Sequence, residues 1–154
     1  MDTEPVVIVG AGAAGCTLAL LLARHDIAST VVEERRDTRL HPAAHVINAR
    51  TLEIWNQASP ALSCALESIT PPIDTVNIIR WCTDVRSDPI GEIDLLSQPD
   101  RLAEVRGHSP YLISHIGQHL LMPVLWNAPD DDPLLDFQRG CPAELDVGSL
   151  TLPC

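Results

Sequence analysis

The sequence predicts an α/β fold, and three observations near its start support this prediction. Residues Val6 to Val9 form a short β-branched run without polar alternation, which is typical of a buried parallel strand. A glycine-rich turn and an apolar segment of helical length up to Arg24 follow, and Ser29 to Glu33 is a second β-branched run. Residues 5–33 are therefore predicted to form one strand–turn–helix–strand unit.

The length of the chain indicates a single domain, and its charge indicates which partners it does not bind. With 154 residues it is long enough for one domain with a sizeable core, and its formal net charge at pH 7 is −11. An acidic surface repels nucleic acid and anionic lipid, so neither nucleic acid nor a membrane is expected as a partner. The chain does not open with the basic residues of a signal peptide, and its apolar stretch over residues 11–23 is too short to span a bilayer. These features predict a cytoplasmic location.

Cysteine and histidine spacing gives little support to a metal site. The five cysteines are odd in number and no two form a C-x-x-C pair, which favours reduced thiols over a disulfide framework. His115 and His119 would share one face of a predicted helix, but no further ligands stand at metal-site spacing. Cys16 follows the glycine turn, where a helix dipole can lower a thiol pKa, although a packing role is favoured.

The remainder of the chain is read as helices and strands of ordinary length. Helices are predicted over residues 48–57, from Ser59-Pro60 to about residue 68, and over about 115–127, where Pro123 is expected to produce a kink. Residues 74–85 and 90–96 have hairpin character, 97–109 read as a loop, and 134–138 as a strand. Trp55, Trp81 and Trp126 are expected to pack in the core or in domain contacts.

The chemical signal lies in residues 10–15, which match the pattern G-x-G-x-x-G. Gly10 allows a tight turn, Gly12 lets a pyrophosphate approach the backbone, and Gly15 lets the helix pack close to the strands. The free N–H groups at the helix start then bind phosphate. Glu33 lies 18 positions after Gly15, near the roughly 20 expected for an acid that binds the ribose hydroxyls.

This motif predicts a dinucleotide site but does not choose the dinucleotide. FAD and NAD both contain an ADP moiety, so both satisfy the glycine turn. A carboxylate at Glu33 disfavours a ribose 2′-phosphate, which argues against NADP at this particular site. An NAD-linked dehydrogenase is therefore one open alternative.

Several further segments resemble one enzyme family and favour FAD. The quoted stretches are VVIVGAGAAGCTLALLLARHDIASTVVEERRD, HPAAHVINARTLEIW, IIRWCTDVRSDPIGEI and ISHIGQHLLMPVLWNA. Together they resemble the FAD-dependent aromatic hydroxylases of the para-hydroxybenzoate hydroxylase type, which are single-component flavoprotein monooxygenases. The resemblance covers about residues 5–140 and implies hydroxylation of an aromatic or polyketide-like small molecule with NAD(P)H and O2.

The same resemblance implies a set of cofactor contacts. Glu33 would bind the adenosine ribose, with Glu34 and Arg35 beside the adenosine part, and Gln118 would lie near the flavin end. Arg50 would be a cofactor contact or a structural residue. The pyrophosphate would be lined by Gly10, Ala11, Gly12, Ala13, Ala14 and Gly15. No catalytic side chain is predicted, because the oxygen chemistry belongs to the cofactor.

The chain also departs from the family pattern. Ala43 stands where the family has an arginine that contacts the cofactor, and Met122 stands where a glutamate is usual. The family's later D-G and G-D motifs, which bind the pyrophosphate, the ribityl chain and NADPH, do not occur here. A truncated or alternatively terminated form of a longer enzyme is therefore expected, and a non-catalytic FAD- or nucleotide-binding fragment is the second alternative.

The resemblance divides the chain into four parts. Residues 1–70 are expected to be a Rossmann-like FAD-binding part, and 71–110 an inserted, partial substrate-binding β region. Residues 111–140 would return to the FAD-binding part, and 141–154 would be an atypical tail. The predicted fold is thus α/β and incomplete relative to the family fold.

Overall fold

Five helices and nine short strands alternate along the described part of the chain. The structure, a computed structural model, describes residues 6–130, 132–146 and 149–151. The helices are α1 (Ala13–Arg24), α2 (Ala49–Ala58), α3 (Pro60–Ile69), α4 (Pro99–His108) and α5 (Gln118–Asp130). The strands are β1 (Val6–Val9), β2 (Ser29–Glu33), β3 (Val46–Ile47), β4 (Ile78–Trp81), β5 (Gly91–Asp94), β6 (Ser114–His115), β7 (Leu135–Arg139), β8 (Glu144–Asp146) and β9 (Ser149–Thr151).

A three-stranded parallel sheet positions the glycine turn. Its order is β1-β2-β7, with Val6 opposite Ser29 and Ser29 opposite Leu135. Val31 and Val32 of β2 are buried, as expected for a parallel strand that is covered on both faces. This sheet with α1 confirms the strand–turn–helix–strand unit predicted from residues 5–33, although the structure describes it from Val6 onward.

Helices α1 and α5 pack on this sheet, and α2 and α3 pack on these two helices to complete the aliphatic core. Helix α1 packs against α2 and α5, and α3 packs against both of those helices. Asn48 caps α2 by accepting from the Thr51 N–H, and Ser59 caps α3 in the same way from the Leu62 N–H. The largest buried side chains of the core are Trp55, Leu66, Ile116, Leu125 and Val31.

The predicted hairpin is present as an antiparallel pair, β4 and β5. Ile79 lies opposite Ile93, and both side chains are substantially exposed. On the other face Arg80 forms an ion pair with Glu92, with 2.6 Å between Nε and Oε2. The two strands therefore present one apolar face and one charged face.

Two sequence predictions are wrong. Residues 97–109, interpreted as a loop, contain α4, a helix without buried residues that begins with Pro99 at its first turn. Helix α5 begins at Gln118, so His115 does not lie on it. His115 belongs to β6, which pairs with β3, and His115 and His119 consequently do not share one helix face.

The cysteines also differ from expectation at one position. Cys16 is a buried free thiol, and Cys64 and Cys82 are exposed free thiols. Cys141 is disulfide-bonded, so the expectation of reduced thiols is wrong there. Within the described ranges, no helix combines the length and the apolar character that crossing a membrane requires.

Candidate cofactor site

The glycine turn joins the carboxyl end of β1 to the start of α1. Gly10 has a φ of +96°, a backbone conformation that strongly favours glycine. Its N–H donates to the Val32 carbonyl at 2.8 Å, which ties the turn to β2. The tight turn expected at Gly10 is therefore present.

Gly12 is the N-cap residue of helix α1, which therefore has no capping side chain. Gly12 has extended backbone angles, and its first turn contains no acidic residue. A Cβ added at Gly12 would meet nothing within 4 Å, so the space beside the backbone is open. The uncapped N–H groups and the positive end of the helix dipole therefore form a site suited to an anion.

Gly15 sets the distance between α1 and β1. A Cβ at this position would overlap the Gly10 carbonyl oxygen and would lie 3.4 Å from Ile8 Cγ2. The close packing of helix on strand that the motif predicts at Gly15 is present. It brings the start of α1 against the end of β1.

Glu33 is a buried carboxylate that holds the turn in place. Its side chain ends β2 with 6% exposure. Oε2 accepts from the Ala11 N–H at 2.9 Å, and Oε1 accepts from the Arg35 N–H at 3.1 Å. Glu33 thus links β2 to the glycine turn, and its contact with a ribose stays a prediction.

A cleft of about 130 Å³ lies in front of the turn. Five residues predicted from the sequence line it, namely Ala11, Gly12, Glu33, Arg35 and Gln118. The other lining residues were not predicted as cofactor contacts from the sequence: Asp37, Thr38, Arg39, Met122 and Trp126. Gln118, Met122 and Trp126 recur every four positions on α5, a spacing that places them on one helix face and was the available signal.

Gln118 also lines a second cavity of about 230 Å³. Ala13, Ala44, His45 and Asn48 contribute to that cavity. Gln118 therefore borders both cavities.

Five of the predicted contacts line neither cavity: Gly10, Ala14, Gly15, Glu34 and Arg50. Arg50 is 70% exposed in its side chain and pairs with Glu53 on the same helix, with 2.9 Å between Nη1 and Oε2. This geometry supports the structural alternative for Arg50. Glu34 is exposed and contacts Arg35 at 3.4 Å.

His45 lines the second cavity, and His115 packs against His45. The rings of His45 and His115 lie 5.4 Å apart between centroids and are inclined by 39°. Burial, reinforced by the nearby His45, lowers the pKa of His115 from its ordinary value of 6.5. Both effects favour the neutral form of the His115 imidazole. The described residues include no group of three or more His, Cys, Asp or Glu placed to hold a metal ion.

Cys16 is a packing residue and not a reactive thiol. Its side chain is fully buried in the first turns of α1, and its Sγ donates to the Ala11 carbonyl at 3.5 Å. Burial raises the pKa of the thiol to about 12, and the negative charge of Glu33 acts in the same direction. These effects raise the thiol pKa more than the helix dipole lowers it. Cys16 therefore has the packing role that was favoured from the sequence.

Cys16 is expected to resist alkylation in the folded chain. At pH 8 the thiolate fraction is small and the sulfur is inaccessible, so iodoacetamide should modify Cys16 at least about 100-fold more slowly than an exposed thiol. Mass spectrometry of labelled peptides gives the rates, with exposed Cys64 and Cys82 as internal references. Labelling of Cys16 at the rate of Cys64, without denaturant, would contradict the buried environment.

The fold and the glycine turn define a dinucleotide-binding α/β unit, and comparisons with known proteins narrow the class. The sequence matches the model of the FAD binding domain family over residues 3–144. The chain belongs to this family of FAD-binding domains.

The relatives are monooxygenases much longer than this chain. It is 29% identical over 123 residues to 2,4-dichlorophenol 6-monooxygenase of Delftia acidovorans, covering 79% of this chain and 21% of the relative. It is 31% identical over 126 residues to phenol 2-monooxygenase of a Pseudomonas species, covering 81% of this chain and 20% of the relative. The chain thus spans about a fifth of the length of these curated relatives.

The fold is also similar to that of a flavin-dependent monooxygenase of known structure. The flavin-dependent monooxygenase PieE, solved in complex with FAD and substrate, superposes with a TM-score of 0.80 at 29% identity. The superposition covers 98% of this chain and 27% of PieE. The α/β fold predicted from the sequence and its kinship to flavoprotein monooxygenases are confirmed.

Proposed function

We propose that this chain is the FAD-binding part of a flavin-dependent monooxygenase that hydroxylates an aromatic small molecule. The observation that carries the proposal is the uncapped start of α1 opening onto a cleft that also contains Glu33 and Gln118. The kinship with phenol and dichlorophenol monooxygenases supports an aromatic substrate.

The residues of the cleft fit an ADP moiety. The open space at Gly12 and the free N–H groups of the first turn of α1 would bind the pyrophosphate. Glu33 has two oxygens, each already accepting one backbone N–H, and a carboxylate oxygen can accept a second hydrogen bond from a ribose hydroxyl. Arg35 and Arg39 bring positive charge to the same cleft.

The roles of the protein residues in this function are binding and orientation. Bound FAD would supply the redox and oxygen chemistry, with NAD(P)H as the source of electrons. Gln118, which borders both cavities, would orient the part of the cofactor beyond the pyrophosphate. The buried apolar wall that includes Ile47 and Leu121 would exclude water from the second cavity.

The binding half of this proposal is tested with the purified chain and free nucleotides. FAD fluorescence should be quenched on addition of the chain, and the flavin absorbance should remain with the protein after gel filtration. FMN, which lacks the adenosine and its phosphate, should bind more weakly because it cannot engage the glycine turn and Glu33 together. Failure to bind FAD would overturn the proposal, and a preference for NAD over FAD would favour the dehydrogenase alternative.

The turnover half requires a separate assay. Oxidation of NADH and NADPH is followed in the presence of FAD and a phenol, and hydroxylated product is detected by mass spectrometry. Substrate-dependent product above the level given by free FAD would support catalysis by this chain. FAD binding without product would instead identify the chain as a non-catalytic FAD-binding module.

A further inference from the structure

Trp126 makes a long-range hydrogen bond to the glycine turn. It lies on α5 with 6% exposure, and its indole N–H donates to the Ala11 carbonyl at 2.8 Å across 115 positions of sequence. Ala11 itself is buried. Helix α5 is thereby tied directly to the turn between β1 and α1.

The bond fixes the peptide group between Ala11 and Gly12, next to the open space beside Gly12. The Ala11 N–H is held by Glu33, and the Ala11 carbonyl is held by Trp126. The described peptide bonds are trans, and in a trans peptide the C=O and N–H groups point in opposite directions. Holding the Ala11 carbonyl against the indole therefore directs the Gly12 N–H away from it.

The Gly12 N–H is available to a ligand. Among the described residues, none accepts a hydrogen bond from it. The space beside Gly12 is open, and Gly12 lines the cleft. An unpaired donor at the start of a helix is the kind of group that binds a phosphate oxygen.

The indole of Trp126 is itself held by its neighbours on β7 and α5. The Phe137 ring meets it edge to face, with centroids 5.4 Å apart and planes at 85°. The Arg139 guanidinium lies 4.6 Å from the Phe137 ring centroid and 5.4 Å from that of Trp126. Arg139 also donates to the Trp126 carbonyl at 3.1 Å and to Asp130 at 2.6 Å. The indole N–H is therefore presented in one fixed direction.

We infer that Trp126 is a positioning residue that orients the Ala11–Gly12 peptide for the pyrophosphate of the cofactor. This inference rests on the proposed FAD binding. Trp126 would act through the backbone, without touching the phosphate, by removing the entropy cost of ordering the turn when the nucleotide binds.

The chain offers a matched control for this role. Trp55 is also buried, with 2% exposure, and its indole N–H also makes one hydrogen bond, to Thr17 Oγ1 at 2.7 Å. That bond joins α2 to α1 and does not involve the glycine turn. Trp126→Phe and Trp55→Phe therefore remove the same kind of bond, from the turn in one case and from a helix contact in the other.

The test compares ADP and FAD affinities of the two variants by isothermal titration calorimetry. Trp126→Phe should weaken binding of both nucleotides by about tenfold, equivalent to about 1.4 kcal/mol. Trp55 lines the second cavity, so the two variants are compared through ADP, which ends at the pyrophosphate. Trp55→Phe should lower the melting temperature similarly but change ADP affinity by less than about twofold. Equal losses of ADP affinity in both variants, or no loss in Trp126→Phe, would overturn the inference.

A second measurement does not depend on nucleotide binding. Amide hydrogen exchange of residues 10–15 in the nucleotide-free chain should be faster in Trp126→Phe than in Trp55→Phe, and unchanged exchange there would also overturn the inference. If Trp126→Phe does not fold, Phe137→Leu removes the ring that fixes the indole, and it should raise the exchange of the same residues. A wild-type chain that binds neither ADP nor FAD would overturn the proposed function, and the exchange comparison would still decide whether the indole holds the turn.

Discussion

Replacing Gly15 with alanine is expected to disrupt the packing of α1 on the sheet. The new Cβ would overlap the Gly10 carbonyl oxygen and lie 3.2 Å from its carbonyl carbon, and these are backbone atoms that no side-chain rotation can move away. The helix must then shift from β1, which should cost about 3 kcal/mol or more of the free energy of unfolding. Urea denaturation followed by circular dichroism measures the loss, and FAD titration should show no binding where the turn is displaced.

Two other glycines control for the addition of a methyl group. Gly107, in the last turn of α4, has nothing within 4 Å of its added Cβ, so Gly107→Ala should leave stability unchanged or slightly raised. Gly12→Ala should also keep the fold, since its added Cβ meets open space, but should weaken FAD binding because the methyl group occupies the approach to the backbone. A Gly15→Ala variant as stable as Gly107→Ala would contradict the assigned packing.

Replacing Glu33 with glutamine is expected to damage both the turn and the cofactor site. The carboxylate accepts two backbone N–H groups with its two oxygens, whereas a glutamine amide offers one oxygen and presents an NH2 group to the other donor. Leaving one buried N–H without an acceptor should cost about 2 kcal/mol of unfolding free energy. The FAD dissociation constant should rise by about tenfold or more, since the Ala11 N–H and the ribose would lose the same acceptor.

Glu53 provides the comparison for Glu33. It also accepts two hydrogen bonds, from Ser109 and Arg50, and these bonds lower the pKa of its carboxyl group. It lies at the surface, where water can replace a lost partner, so Glu53→Gln should change neither the melting temperature nor FAD affinity appreciably. Equal effects of the two substitutions on melting temperature and FAD affinity would contradict the expected role of Glu33 burial.

The part of the fold that could be predicted is the part encoded locally. Glycine spacing, a β-branched strand on each side and an acid after the second strand all lie within residues 6–33, and the turn follows from them. Helix α4 escaped prediction because it buries no side chain, so no apolar periodicity marks it. The start of α5 at Gln118 depends on pairing between β6 and β3, which are far apart in sequence.

The candidate site was likewise predictable only where local motifs or the family resemblance indicate its residues. Ala11, Gly12, Glu33, Arg35 and Gln118 were identified from the motif and the family resemblance, and the structure brings them together in one cleft. Trp126 could be interpreted only as a core residue, because its partner Ala11 lies 115 positions away. Its role depends on the hydrogen-bonding direction of one indole, for which single-sequence patterns carry no signal.

The parallel pairing of β2 with β7 determines when the cofactor site can form during synthesis. Ser29 opposite Leu135 closes a loop of about 100 residues, and such distant pairing is slow because much chain entropy must be lost before the contact stabilises anything. Phe137 and Arg139, which contact Trp126 from β7, leave the ribosome only after all the residues that line the cleft. The glycine turn is synthesised first, but the pocket in front of it is completed among the last contacts of folding.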